Sequence, residues 1–399
     1  MSMKSQQISV ILGAGLTQFF VIGMHFSYGV FFPSFEDAFG WSRTVLSTAL
    51  ALGVVFMGVF AMVGGRLNDK FGPRRVLMFT GALSGIGFML LSLINAPWQL
   101  FLIYATCIAA GLGTHDVVTL STIAGWFPQK RGIMTAMVKV GTALGQVSLP
   151  PIAAFLILYA GWQHALVILG GGVAVMLMIA GALMQKRPTG SIEATSSQKD
   201  GVTYKEARQQ RAFWQLCVIQ FLFFPVVTAL PLHIAAHGVD LGMSQPTAAS
   251  LLSVIGGASI LGRIVVGLVI DRLGGPQAMM LCLLILSVGT FGLVLTDNHF
   301  FVMAILAFYG FAHGGLFTVV SPTVAAFFGM SAHGAIFGAI LFAGTIGGAI
   351  GPILVGAVFD LSGSYDLAFQ AMGVIAFIGL VLAWLLPPSK QTMVVVHDR

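Results

Sequence analysis

Long apolar runs, each about the length of a bilayer crossing, alternate with short polar breaks along almost the whole chain. Twelve such runs occur, at roughly 8–34, 44–66, 74–95, 98–126, 132–159, 163–185, 212–236, 246–270, 275–296, 299–323, 333–359 and 366–387. A spanning helix needs ~20 apolar residues, and the strict alternation of short barrel strands is absent. The pattern therefore predicts an all-α polytopic membrane protein of twelve transmembrane helices. The first run follows MSMKSQQ and is predicted to be a retained helix, since no small-residue cleavage site is evident. The longest polar break, KRPTGSIEATSSQKDGVTYKEARQQR at 186–211, has no apolar period and separates two sets of six. The expected organisation is an N-terminal half (1–185), a linker (186–211) with a short amphipathic helix at 203–211, a C-terminal half (212–387) and a tail (388–399).

Composition agrees. Of the 399 residues 57% are hydrophobic and 8% charged, against about 25% charged in an ordinary soluble domain. Cys107, Cys217 and Cys282 lie in apolar runs without redox or zinc spacing and read as small buried hydrophobes. The net charge of +6 could suggest an acidic partner. Position explains it better. Lys4, Arg66, Lys70, Arg74, Arg75, Lys130, Arg131, Lys186, Arg187, Lys199, Lys205, Arg208, Arg211, Arg272, Lys390 and Arg399 all fall on one side of a twelve-helix topology, with Arg43 opposite and Lys139 and Arg263 inside helices. The positive-inside rule then places both termini and the linker in the cytoplasm of a plasma (inner) membrane protein. Nucleic acid is not an expected partner; the lipid bilayer is.

The two halves are similar. A shift of 202 residues carries Gly65 onto Gly267, Asp69 onto Asp271, Gly72 onto Gly274, Gly113 onto Gly315, Gly132 onto Gly334, Gly145 onto Gly347 and Pro150 onto Pro352. Parallel six-helix repeats imply two pseudo-symmetric halves with a substrate path between them. Gly141 with Gly145, and Gly347 with Gly351, are small-xxx-small patterns suited to close helix packing.

Charges inside the helices are the candidate chemistry. Arg263 stands in GGASILGRIVVGLVIDRLGG (256–275), eight residues before Asp271, or ~12 Å along a helix. A charge at that depth costs at least ~2.5–3.5 kcal/mol and usually faces a bundle interior or a water-filled path. Its neighbours Ser259, Gly267 and Gly256 are small, leaving room for a ligand, and a guanidinium fork suits a carboxylate. The bland reading is an arginine paired with backbone carbonyls. Asp116 and Lys139 lie about equally far before and after the turn at Pro128, so they are expected to meet, as a structural pair, a second substrate anchor, or a pair whose protonation tracks transport. A dianion could bridge Lys139 and Arg263. His25, His115 and His313 are possible proton carriers; His313 sits in an aromatic stripe with Tyr309 and Phe317. His233 and His237, four apart with Asp240 after them, have a spacing that can hold a metal, but they are expected to form a polar patch at the outer mouth, so no metal site is expected. Asp240 is a further proton-coupling candidate, through pairing with a basic group. No catalytic triad, metal box or phosphate loop appears, so neither enzyme activity nor a cofactor is expected.

GRLNDKFGPRR (65–75) and GLVIDRLGG (267–275) resemble the two copies of the loop signature of the major facilitator superfamily. The resemblance implies a cytosolic gate built on Gly65, Asp69, Arg74, Gly267, Asp271 and Arg272. A finer resemblance is to the monocarboxylate transporter family, especially its bacterial members and the related oxalate/formate antiporter group. It rests on HFSYGVFFPSFEDAFGWSRT (25–44), on WFPQKRGIMTAMVKVG (126–141), and on Arg263, where the family has an arginine that engages the substrate carboxylate. Gly29-Val30-Phe31-Phe32 stands where animal members carry a lysine, and Ser259 where they carry an aspartate, so their proton-handling scheme does not transfer. In the superfamily, helices one, four, seven and ten line the cavity, which adds Tyr28, Gln18, Gln220, Tyr309 and Thr318 as candidates. The resemblance implies symport of a small monocarboxylate with a proton by alternating access, with a monomer sufficient. Rival expectations are dicarboxylate exchange, uptake of a larger aromatic or sugar acid, and a receptor on a transporter fold, which the short linker disfavours.

Overall fold

The computed structural model describes residues 3–41, 43–186 and 201–388. Most of the expected linker and nearly all of the expected tail, with Arg187, Lys199, Lys390 and Arg399, lie outside the described residues, as does the side chain of Arg43. The regular structure is helical: α1 (Met3–Ser27), α2 (Phe32–Phe39), α3 (Arg43–Phe71), α4 (Pro73–Leu90), α5 (Pro97–Ile103), α6 (Ala109–Trp126), α7 (Arg131–Leu183), α8 (Tyr204–Ala207), α9 (Arg211–Asp240), α10 (Gln245–Leu273), α11 (Gly275–Val294), α12 (His299–Phe328), α13 (His333–Ser362) and α14 (Asp366–Trp384).

Among the described residues 11 helical stretches are long and apolar enough to cross a membrane, the longest having 53 residues. That longest one, α7, is broken at Gly161 (φ 78°, ψ 161°), a conformation open to glycine because it has no Cβ. The break divides α7 into two spans, which restores the expected twelve. Two runs are wound less evenly than their hydropathy suggests. The first changes to a 3-10 turn at Tyr28–Phe31 before α2, and the fourth has a π turn at Tyr104–Ile108 between α5 and α6. Both keep the backbone hydrogen-bonded, which is what an apolar surrounding demands, so hydropathy could not reveal them. The amphipathic helix expected at 203–211 shrinks to the single turn α8. There Thr203 Oγ1 accepts from Glu206 N–H (3.2 Å), and Glu206 Oε2 accepts from Thr203 N–H (2.7 Å), a capping box.

The chain forms two compact units, one of Met1–Pro128, Met137–Val202 and Gly329–Phe342, the other of Gln129–Ala136, Thr203–Phe328 and Ala343–Arg399. In the first, α6 packs on α1, α3 and α4, and an aromatic core gathers Tyr28, Phe31, Phe35 and Tyr104. In the second, α10 packs along α12, and α11 lies against α12 and α14. Large apolar side chains such as Phe79, Leu158, Phe308 and Trp384 are exposed, as expected of helix faces that meet lipid.

The internal repeat extends to the contacts. A Cβ on Gly145 would fall on the Phe19 carbonyl, and one on Gly347 would fall on the Phe221 carbonyl; the 202-residue shift maps both partners. Gly72 and Gly274 share one conformation (φ 82°, ψ 165° and φ 93°, ψ 162°) at the starts of α4 and α11. Gly145 therefore serves helix contact, not mobility. Gly145→Leu is expected to lower stability by about 1–3 kcal/mol through overpacking. Gly15→Ala, with nothing within 4 Å of the new methyl, is expected to leave stability unchanged or raise it slightly. Thermal unfolding of the two detergent-solubilised variants measures the contrast.

Candidate functional site

The first polar cluster is carried by α10. Arg263 is 4% exposed and Ser259 3%, and one turn of helix brings them together, Arg263 Nη1 donating to Ser259 Oγ at 2.7 Å. Ser259 steadies the guanidinium through a neutral hydroxyl, whereas an aspartate at that position would add a charge. Gly256 lies two turns away on the same face, and a methyl added to it would meet nothing within 4 Å, so that face is open there. The expectation of an equally open face at Gly267 is corrected. A Cβ there would meet Ala136 Cβ at 2.7 Å and the Gly132 carbonyl at 2.9 Å, so this glycine admits a neighbouring helix and not a ligand. On the other side α12 presses closely on α10: Gly314 lies under the Ser259 carbonyl and Gly310 under that of Ile255. His313 lies beside that contact in sequence, its ring 6.0 Å from Tyr309 and 5.1 Å from Phe317.

The second cluster joins α1, α6 and α7. Lys139 Nζ donates to both Asp116 oxygens, at 2.7 and 2.9 Å. The same Asp116 Oδ1 accepts from Gln18 Nε2 at 2.8 Å and lies 3.4 Å from His115 Nε2. Gln18 also donates to Thr119 Oγ1 (3.0 Å) and accepts from Thr142 Oγ1 (2.7 Å). Gln18, Thr119, His115, Lys139, Asp116 and Thr142 are all buried. His115 Nδ1 contacts the Leu112 carbonyl. The expected meeting of Asp116 and Lys139 thus occurs, inside a wider network. Thr119 and Thr142 were missed by the sequence reading, and Gln18 was named without its partners. Their signal was available in part: Thr119 follows Asp116, and Thr142 follows Lys139, by three residues, hence on shared helix faces.

The remaining candidates are placed as follows. Tyr28, buried against Tyr104 at 4.6 Å between ring centres, donates its hydroxyl to the Leu46 carbonyl at 3.3 Å. Tyr309 donates to the Val226 carbonyl at 2.9 Å, and Thr318 to that of Gly314 at 3.1 Å. Gln220 is buried beside Gly344. His25 is half-buried, edge-on to Phe26 at 5.6 Å. His233 and His237 both adjoin Tyr365, at 5.6 and 5.7 Å between ring centres. His233 Nε2 lies 3.2 Å from the Pro352 carbonyl, while the buried His237 ring rests edge-on to Phe369 at 4.9 Å. Asp240 is exposed at the end of α9.

The two loop signatures act as helix caps. Asp69 accepts from the N–H groups of Gly334 (3.3 Å) and Ala335 (3.0 Å) at the start of α13. Asp271 accepts from Gly132 (2.7 Å) and Ile133 (3.0 Å) at the start of α7. The 202-residue shift turns one set of contacts into the other. Each carboxylate meets the positive end of a helix macrodipole, and Gly65 and Gly267 allow the approach, a Cβ at Gly65 falling on the Gly334 carbonyl. Arg74 and Arg272 are exposed beside these caps.

Comparison with known proteins agrees with this architecture. The profile of the Major Facilitator Superfamily matches residues 14–298 and 227–396. Monocarboxylate transporter 13 of Bos taurus is 26% identical over 377 residues, covering 93% of this chain and 87% of the relative. The oxalate:formate antiporter of Oxalobacter formigenes is 26% identical over 384 residues, covering 92% and 88%. The proton:xylose symporter XylE superimposes with a TM-score of 0.78 at 14% identity, over 97% of this chain and 96% of that one; at such identity the likeness concerns the fold. With the family profile spanning most of the chain, and paired loop signatures that cap helices in matching ways, this protein belongs to the Major Facilitator Superfamily and is a membrane transporter, not an enzyme.

Proposed function

We propose that the protein moves a small monocarboxylate, of the size of lactate or pyruvate, together with a proton, by alternating access. Arg263 carries the reading: a guanidinium 4% exposed in an apolar span, steadied by a neutral hydroxyl and flanked by an open glycine face. A carboxylate reaching it would form a charge-assisted, bidentate contact. Binding would give the buried guanidinium an anionic partner in the cavity and so lower the cost of enclosing the site, which gives substrate a differential effect on the two access states. Tyr309 and His313 on α12, and Tyr28 in the 3-10 turn after α1, are assigned to the wall of the path. The names of the monocarboxylate and oxalate:formate relatives fit an anionic cargo.

Proton coupling is assigned first to Asp116, with His25, His313 and Asp240 as further groups. Among the described residues Asp116 is the one carboxylate classed as buried. A proton on it would leave the Lys139 ammonium unbalanced, and an anion would then restore neutrality. Because Lys139 is held by both Asp116 oxygens, the monocarboxylate reading is favoured over a dicarboxylate that needs Lys139 as its second anchor. The Lys/Arg bias places both termini on the cytoplasmic side of an inner membrane. The two six-helix repeats are taken as the moving halves, and one chain, carrying both, suffices as the transporting unit.

The test is uptake of labelled lactate, pyruvate, acetate, oxalate, succinate and benzoate into proteoliposomes, with and without an inward proton gradient. Gradient-driven accumulation of a monocarboxylate is expected. Uptake that ignores the gradient and requires internal anion would replace symport with exchange, and preference for succinate or benzoate would replace the substrate class.

A further inference from the structure

At the Lys/Arg-rich end of the first unit a cavity of about 430 Å³ is lined by Lys70, Arg74, Arg75 and Lys186, with Phe71 and Gly72 in its wall. Among the described residues four basic groups line it and no acid does. The nearest carboxylate in sequence, Asp69, is committed to the N–H groups of Gly334 and Ala335, although Lys186 also feels its charge. The start of α4 opens into the same space. Gly72, its N-cap, provides no side-chain acceptor, so the positive end of the helix adds to the four side chains instead of offsetting them. Like charges gathered this way repel one another. Orientation in the bilayer requires basic residues at this end, but not their convergence on one cavity at an uncapped helix start.

The apolar surroundings indicate which anion would relieve the repulsion. Phe71 is 47% exposed, with Lys70 Nζ 5.1 Å from its ring centre. Phe79, on the outward face of α4, is 70% exposed, and Leu67 precedes the cavity on α3 at 38%. The cavity thus adjoins an apolar wall of the kind that meets acyl chains. A free phosphate would use only the charges; a phospholipid would use both surfaces.

We propose that this cavity binds the phosphate-bearing headgroup of an anionic phospholipid, its acyl chains lying along the Leu67, Phe71 and Phe79 surface. The site shares no residue with the Arg263 cluster or the Asp116–Lys139 network and does not depend on the identity of the transported solute.

Native mass spectrometry of the full chain, delipidated in neutral detergent, tests it with phosphatidylglycerol, phosphatidylcholine and inorganic phosphate as probes. One phosphatidylglycerol is expected to be retained in preference to phosphatidylcholine. Arg75→Gln combined with Lys186→Gln should weaken that retention about tenfold to thirtyfold, from two lost interfacial charges. Lys186→Gln alone, should the double variant fold poorly, is expected to weaken it about fivefold. Lys4→Gln combined with Lys205→Gln removes the same charge elsewhere and should leave retention unchanged. Equal loss in that control pair, or full retention in Arg75→Gln/Lys186→Gln, would overturn the site. Displacement of the lipid by an equal concentration of inorganic phosphate would overturn the assignment to a lipid.

Discussion

Uptake of the monocarboxylate is expected to fall about thirtyfold or more in Arg263→Ala, the largest functional effect of any single substitution considered. Losing one partner of a desolvated, hydrogen-bonded charge pair costs about 2–5 kcal/mol, and each 1.4 kcal/mol is about a tenfold change in affinity. The loss should appear as weaker binding of the labelled acid to purified protein as well as slower uptake. Arg263→Lys keeps the charge but not the planar fork and is expected to fall between the two. Stability separates this role from a structural one. If the guanidinium serves the substrate and not the fold, the folded yield and unfolding temperature of Arg263→Ala should stay close to those of the wild type. If Arg263→Ala unfolds early while Arg263→Lys does not, the guanidinium is a fold element and the carboxylate reading loses its anchor.

The second large effect concerns Asp116 and Lys139. Lys139→Ala leaves a buried carboxylate with only Gln18 and His115 beside it, and breaking a buried pair from one side costs about 3–5 kcal/mol. Asp116→Asn should also be harmful, since it removes the carboxylate that holds the ammonium from both oxygens. The double variant Asp116→Asn/Lys139→Gln removes both charges and is expected to recover most of the stability, a coupling that a double-mutant cycle reads directly. Transport then assigns the pair. If Asp116 carries the proton, the recovered double variant will equilibrate substrate yet fail to concentrate it against a gradient. Gradient-driven accumulation at the wild-type level would make the pair purely structural and move proton coupling to a histidine or to Asp240.

Much of this architecture was readable in advance because a bilayer makes secondary structure a local matter. With no water to satisfy backbone groups, each apolar run must bond within itself, so run length alone marked the spans. The recurrence of the loop signature was legible for a related reason, but not the helix starts that its carboxylates cap. Asp69 and Asp271 recur at one spacing from glycines that permit close approach, and the repeat carried the inference from one copy to the other. The meeting of Asp116 with Lys139 followed from their equal distances from the turn at Pro128.

The composition of the buried network was not legible. Whether Gln18 on α1 reaches Asp116 depends on how α1 is rotated against α6 and α7, and a helix that is apolar nearly all round gives no preferred face in its sequence. The same uncertainty hid the fate of Gly267, small like Gly256 but filled by Gly132 and Ala136 from a segment more than a hundred residues away. It also hid the Tyr28 and Tyr309 hydroxyls, which donate to backbone carbonyls of neighbouring helices. Spans, repeat and charged positions are consequences of bonding within a segment and of the cost of charge in hydrocarbon, and these are written along the chain. Which small residue is an opening and which is a contact depends on helix rotation, and that is set by the joint packing of segments distant in sequence.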